Sequence, residues 1–400
     1  MLASALALAA SASGPVEAAP HPTHLGHLPH SHTHAPAEID ETPGPILLQL
    51  TYTAEVMGNA SGGLRRGTRY LDNLDIVFEA DMEKLVGWTG AQVHVYGLYN
   101  NGKSISDLVG DTQAVSNIEA GTQAIRLCEA WVDQKIGDRL SVKAGLYDLN
   151  FEFDALDAAG LFVSSPHGIG TDFAQSGRNG PSIFPSTSLA TRVQWQPSEG
   201  WRFAPRYSTA SPVIPTIQGA RPSSSTMARR SSRWRTASAA RRWQATARAL
   251  AIYRPLRPQR RDRDRQGQCR HLCSRRISAN GRRRAKVDAF FRLGTASGRF
   301  NMFDGFAGGG LKFSGWVPGR GEDEFGIALA AGFTSNSYRA ATGAESSEVA
   351  IHEPYRAPIT SWLALQPSVH YIRNPSADPG IADALVLGLR AEMTFSLAGF

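Results

Sequence analysis

In the stretch RLCEAWVDQK, Glu129, Trp131 and Asp133 stand two residues apart. Residues at that spacing share one face of a strand, so two carboxylates would flank an indole. Such a face can exchange hydrogen bonds with polar groups and cover an apolar surface, which is reversible binding rather than covalent chemistry. The same indole would also suit an aromatic girdle at a membrane interface. Asp75, Glu79 and Asp81 repeat the pattern in NLDIVFEADM, and Arg390 with Glu392 forms a candidate charge pair near the C-terminus. A Gly- and Ser-rich segment, 151–185, carries Asp154, Asp157, His167, Asp172 and Arg178. A connection that long is usually functional or disordered. Folded inward it would build a constriction, and left outside it would be an ordinary surface loop. Arg65, Arg66 and Arg69 cluster beside a glycine turn and suit either an inner basic patch or lipid phosphates.

Covalent catalysis finds little support. No GxSxG-like stretch occurs, and His167 near Ser164 and Ser165 lacks the oriented partners that activate a nucleophile. Cys128 stands alone in a strand-like run, while Cys269 and Cys273 frame CRHLC, which lacks a second ligand pair. No cofactor, metal site or disulfide framework is implied. Six of the 11 histidines fall in PHPTHLGHLPHSHTHAPAE, a proline-broken tail that cannot pack a core and would bind metal only loosely.

The elements that must position these residues alternate with period two. In LQLTYTAEV, Leu48, Leu50, Tyr52, Ala54 and Val56 oppose Gln49, Thr51, Thr53 and Glu55. In NLDIVFEADM, Leu74, Ile76, Phe78, Ala80 and Met82 oppose Asp75, Val77, Glu79 and Asp81. In LVLGLRAEMTFSL, Leu385, Leu387, Leu389, Ala391, Met393, Phe395 and Leu397 oppose Arg390, Glu392, Thr394 and Ser396. Alternation of this kind predicts strands with one apolar and one polar face. The runs exceed the ~5–6 residues usual in globular sheets and reach the ~9–11 that a tilted transmembrane strand needs. A soluble sandwich would show the same alternation, but strand length, a leader-like N-terminus and the apolar last strand favour an all-β, antiparallel transmembrane barrel.

Charge divides the chain. Between Arg221 and Lys286 stand twenty arginines and one lysine against Asp262 and Asp264, a charge of +19 in a chain of +7, so the remainder is −12. An acidic-rich channel lining would disfavour anions. Residues 1–18 read as a secretory signal with no basic n-region, 19–44 as a flexible His/Pro-rich tail, 45–203 and 286–400 as the two parts of the barrel, and 204–285 as a basic insert.

Longer motifs carry a family resemblance. The stretches GLRRGTRYLDNLDIVFEADMEKLVGWTGAQVHVYGLYNNGKSISDLVGDTQAVSNIEAG, IRLCEAWVDQKIGDRLSVKAGLYDLNFEFD and KVDAFFRLGTASGRFNMFDGFAGGGLKFSGWVPGRGEDEFGIALA resemble, in order, the carbohydrate-selective porins of bacterial outer membranes, the OprB family. The likeness covers 45–201 and 286–395. It implies a barrel of about sixteen strands, passive diffusion of small neutral sugars, contact with outer-membrane lipid, and the trimeric assembly common among related porins. One departure is the terminal SLAGF, which leaves Phe400 out of phase with the apolar face.

The larger departure is the insert, which shows no sustained alternation where strands are expected. A lipid-facing arginine near the midplane costs about 2–4 kcal/mol, so several per strand would exceed a folding free energy on the order of 10 kcal/mol. Arg, Ala, Ser and Pro without acids is what a GC-rich gene yields out of frame. Codons for APRYSTASPVIP, read two bases later, can give AAVLDGVPGDP, an apolar strand end followed by a turn, and those for CRHLCSRR, read one base later, can give AGTYALV, which is strand-like. The segment is therefore expected to be frameshifted. A genuine phosphate-seeking arm drawn by counterion release is the rival, and on the frameshift reading no nucleic-acid partner is implied.

Overall fold

A computed structural model describes residues 44–120, 123–154, 156–175, 181–198, 285–299 and 301–398, with five short strands between them. The leader, the histidine-rich tail, most of 204–285, Arg178 and Phe400 lie outside the described residues. Among the described residues, seventeen strands form one sheet. Six long ones come from the first half: β1 (Ile46–Gly63), β2 (Gly67–Asp81), β3 (Ala91–Gly102), β4 (Ala124–Ile136), β5 (Leu140–Tyr147) and β6 (Ser188–Ser198). Five pieces of two or three residues follow, β7 (Trp201–Phe203), β8 (Arg206–Ser208), β9 (Thr216–Ile217), β10 (Ile252–Tyr253) and β11 (Ser274–Arg276). Six more long strands complete the sheet: β12 (Lys286–Thr295), β13 (Phe303–Ser314), β14 (Glu324–Thr334), β15 (Ser347–Pro358), β16 (Leu363–Arg373) and β17 (Ala382–Ala398). The long strands pair antiparallel with their chain neighbours, and β1 pairs with both β2 and β17, for example Leu50 opposite Ile76 and Phe395. The two ends of the chain are thereby stitched side by side.

The sheet is apolar outside and polar inside. Phe291 and Leu293 are 70% and 75% exposed, and Val56, Ile76, Leu127, Leu329, Leu387 and Leu389 also point outward, whereas Thr51, Thr53, Glu55, Asp75 and His352 are buried. In water such an outer face would be unfavourable by about 25 cal/mol per Å²; in hydrocarbon it is at home, and ladder bonding satisfies the backbone. At the short-turn end, Trp88, Trp195, Trp316 and Trp362 are all half-exposed, with Trp362 stacked on Phe395 at 5.8 Å. That ring of amphipathic side chains is an interfacial aromatic belt. Among the described residues no helix is long and apolar enough to cross a membrane.

The opposite end carries the long connections. Residues 103–120, between β3 and β4, and the described residues of 148–187, between β5 and β6, turn into the barrel and meet there, Asn117 N donating to the Val163 carbonyl at 2.7 Å and Ser165 N to that of Ala114 at 3.2 Å. Ile105, Leu108, Val109 and Val115 of the first and Val163 of the second pack on Met57, Ile372, Ala384 and Val386 of the wall. The described barrel therefore has an apolar core inside its upper half, built by loops, and a polar lower half.

Candidate pore site

A row of side chains crosses five adjacent strands of the polar half. Glu79 on β2 lies opposite His94 on β3, His94 opposite Trp131 on β4, and Lys143 on β5 opposite Arg192 on β6. Register alone sets this row, because alternation turns the same face of every strand inward. His94 Nδ1 lies 3.1 Å from Glu79 Oε1, and the imidazole stacks on the indole at 4.7 Å with 9° between planes. Lys143 Nζ sits 3.9 Å from the centroid of the Trp131 ring, and the indole N–H donates to Glu129 Oε2 at 2.8 Å. Arg192 reaches Asp133 at 2.9 Å and Glu152 at 3.1 Å.

Trp131 thus lies on the inner wall, and the aromatic belt is built by other tryptophans. Imidazole and ammonium crowd the ring, so it fixes those two groups instead of offering an open stacking surface; a cation held this way is worth about 0.5–2 kcal/mol. Glu129 faces inward beside Cys128 because β4 carries a register shift between the pairs of Tyr96 and Gly97. A bulge of that kind lets two successive residues share a face. Asp75 accepts from Asn73 Nδ2 at 2.7 Å and Tyr96 Oη at 2.5 Å.

Asp81 sits elsewhere. Its carboxylate caps the helix Met82–Val86, accepting from the Glu83 and Lys84 amides at 3.1 and 3.2 Å. An Asp81→Ala change should therefore cost roughly 1 kcal/mol of stability, read by thermal unfolding in detergent.

Around the other half, Lys312 pairs with Glu324 at 3.0 Å and Arg356 with Glu392 at 2.9 Å, while Arg390 holds Glu55 and also donates to Asn117. The expectation of an acidic-rich interior needs correction. Lys143, Arg192, Arg292, Lys312, Arg356 and Arg390 interleave with the carboxylates, and of these cations only Arg390 stands out from sequence. Lone buried charges are costly, so Glu55, Asp133, Glu324 and Glu392 each draw a cation across the strands.

The loop 148–187 crosses the barrel to reach β12. Arg292 Nε donates to Asp154 Oδ1 at 2.9 Å, and its two other nitrogens donate to the carbonyls of Asp154, Pro166, His167 and Gly168 at 2.6, 3.1, 3.0 and 3.2 Å. Gln366 on β16 donates to the Leu161 carbonyl at 2.7 Å. Close approach needs bare backbone on the wall: a Cβ at Gly326 would come within 2.7 Å of the Phe162 ring, and one at Gly294 would collide with the Asp172 carboxylate. Asp157 opens the 3-10 turn Asp157–Leu161, and Asp172 sits half a turn into Thr171–Ala174. Burial raises Asp154 even against Arg292, raises Asp172, and pushes His167 down to about 3, helped by Arg292 and His370. In the first loop, burial lifts Glu119 to about 7 although Ser104, Ser106 and Ser116 hydrogen-bond to it. A polar cavity of about 160 Å³ lies beside it, lined by Asn100, Asn101, Lys103, Asp107 and Glu119.

Sequence inspection misses Arg292, Lys143, Arg192, His352, His370 and the whole inward turn of 103–120. The available signal was a run of some twenty residues without alternation between two clear strands, about half the length of the connection that did attract notice.

A rolled antiparallel sheet with an apolar exterior, an aromatic belt, a charged interior and inward loops defines an outer-membrane porin barrel, a channel rather than an enzyme. Residues 65–205 and 226–395 match the carbohydrate-selective porin, OprB family, and the chain belongs to that family and to the bacterial outer membrane. The second match begins inside the arginine-rich segment, wider than the motifs alone indicate. Porin B of Pseudomonas aeruginosa is 22% identical over 400 residues, covering 87% of each chain. The high-pH structure of Pseudomonas putida OprB superposes with a TM-score of 0.63 at 16% identity, covering 88% of this chain and 94% of that one, a likeness of fold.

Proposed function

We propose that the chain conducts small neutral sugars by passive diffusion. The observation that carries this reading is the inner wall, where the acceptors Glu79, Glu129 and Asp133 are interleaved with the donors Trp131, Lys143 and Arg192 on neighbouring strands. A sugar is uncharged and rich in hydroxyls. Balanced charges favour neither cations nor anions over it, and exchange hydrogen bonds with it one after another. Each contact must stay weak for the solute to leave. Asp75, Glu79, Glu129, Asp133, Arg390 and Glu392 serve as wall groups in this reading, and the loop bearing Asp154, Asp157, His167 and Asp172 sets the width. Asp81 caps the helix Met82–Val86 in addition to its proposed wall role, and Arg178 lies outside the described residues.

In planar bilayers the protein should conduct weakly, and glucose should reduce its current; sugar-insensitive conductance would make it a general porin instead. Lys143→Met keeps the side-chain length and removes the charge. It should weaken glucose block about tenfold, as expected for loss of one charged hydrogen bond of ~1.5 kcal/mol, while basal conductance changes less than twofold.

We further propose a homotrimer embedded in outer-membrane lipid, as the family resemblance implies, and a frame error across 204–285. Resequencing codons 200–290 tests the latter, since an uninterrupted frame encoding these arginines would refute it.

A further inference from the structure

Three histidines meet beneath the inward loop. His352 on β15 and His370 on β16 are paired across the ladder and stack at 4.0 Å, and His167 of the loop stacks on His352 at 5.9 Å. Phe162 and Phe290 flank them at 5.2 to 6.3 Å. All three rings are 0–1% exposed. Ser368 Oγ meets His370 Nε2 at 3.0 Å, but both ring nitrogens of His167 and His352, and Nδ1 of His370, have no hydrogen-bond partner. A buried polar group without a partner is unfavourable, and a buried charge without one far more so.

The charged groups nearby make matters worse for a proton. Burial first, and then Arg292 on β12, which also donates to the His167 carbonyl at 3.0 Å, disfavour imidazolium on His167, and Arg390 on β17 brings a second guanidinium to the strand paired with β16. The carboxylates on these sides are already engaged, Asp154 with Arg292 and Glu55 on β1 with Arg390, while Asp172 of the loop packs against Gly294. Ala328 of β14 and Val386 of β17 lie opposite His352 and His370 and bring no charge.

We propose that this histidine stack is an acid-sensitive latch, which holds the loop 148–187 inside the barrel while its imidazoles are neutral and releases it when they take up protons. The sign follows from linkage. Released into water, a histidine titrates near 6.5, whereas packed under the loop His167 does so only near 3. The inward state binds fewer protons, so its stability is fully present above about pH 6.5 and is lost as pH falls from there towards 3. Each pH unit in that window multiplies the ratio of released to inward loop up to tenfold per histidine.

The device rests on the reading of this loop as the constriction, yet it can be measured without any sugar. Hydrogen–deuterium exchange of the full chain in detergent, corrected for the chemical rate, should rise at least tenfold in 156–175 between pH 7 and pH 4.5, with β15 to β17 unchanged. His167→Leu and His352→Leu, which keep the apolar packing and remove the titration, should each reduce that rise. Unchanged loop exchange in the natural chain, or an equal rise in both variants, would overturn the latch. Should neither variant fold, the natural chain decides alone, since exchange confined to the loop supports the latch and exchange spread over the strands refutes it. Sugar-insensitive conductance alongside a sharp loop transition would remove the transport reading and leave the latch standing.

Discussion

Arg292→Ala is expected to raise single-channel conductance several-fold and to speed exchange in 156–175 by two orders of magnitude or more. The guanidinium makes five hydrogen bonds to the loop, one to the Asp154 carboxylate and four to carbonyls. Truncating it strands those acceptors, and each unsatisfied buried group costs about 1–3 kcal/mol. Three such penalties, even at the low end of about 1 kcal/mol each, exceed the ~2.7 kcal/mol that shifts a two-state ratio a hundredfold. The loop would then swing away from β12, widening the passage. Arg292→Lys, which keeps the charge but loses the planar fork, should fall between the two. A conductance equal to that of the natural chain would show that the loop does not set the width.

Arg390→Met is expected to lower the stability of the barrel by roughly 3–5 kcal/mol, as breaking a buried ion pair from one side does. Arg390 sits where β17 meets β1, opposite Glu55 in register, and it also ties down Asn117 of the first inward loop. Its loss leaves Glu55, at 0% exposure, without its cation, and among the described residues Ser116 Oγ still donates to it at 2.5 Å. The double variant Glu55→Gln, Arg390→Met removes both charges and should recover most of the loss. Thermal unfolding in detergent gives the four corners of that cycle, and the coupling should be well above 1 kcal/mol. A single variant as stable as the double would mean that the pair contributes nothing to closing the sheet.

Much of the sheet was legible because alternation is written residue by residue. Leu387 and Leu389 point outward and Arg390 inward for the same reason that any strand shows alternate faces, and the length of β1, β2 and β17 already speaks of lipid. Pairing is different. Nothing in TRVQW or LSVKAGLY says that Arg192 will stand beside Lys143, because register depends on which strands become neighbours and how far each slides. The bulge in β4 was equally silent: strict alternation from Glu129 would turn Cys128 outward, whereas both residues are buried in the interior. Alternation carries through to Asp81 at the end of β2 but does not announce the helix cap there. The loop 148–187 could be suspected from its length, but its landing on Arg292, over a hundred residues away in sequence, could not. Sequence offered the histidines only as single, scattered letters.

The central claim is that water and sugars pass through the interior of this sheet while lipid surrounds it, and liposome swelling tests it most directly. Vesicles carrying the protein should swell in isotonic glucose faster than protein-free vesicles, and faster than in an anionic solute of similar size. Swelling no faster than that of empty vesicles, from protein shown to be inserted, would contradict the account.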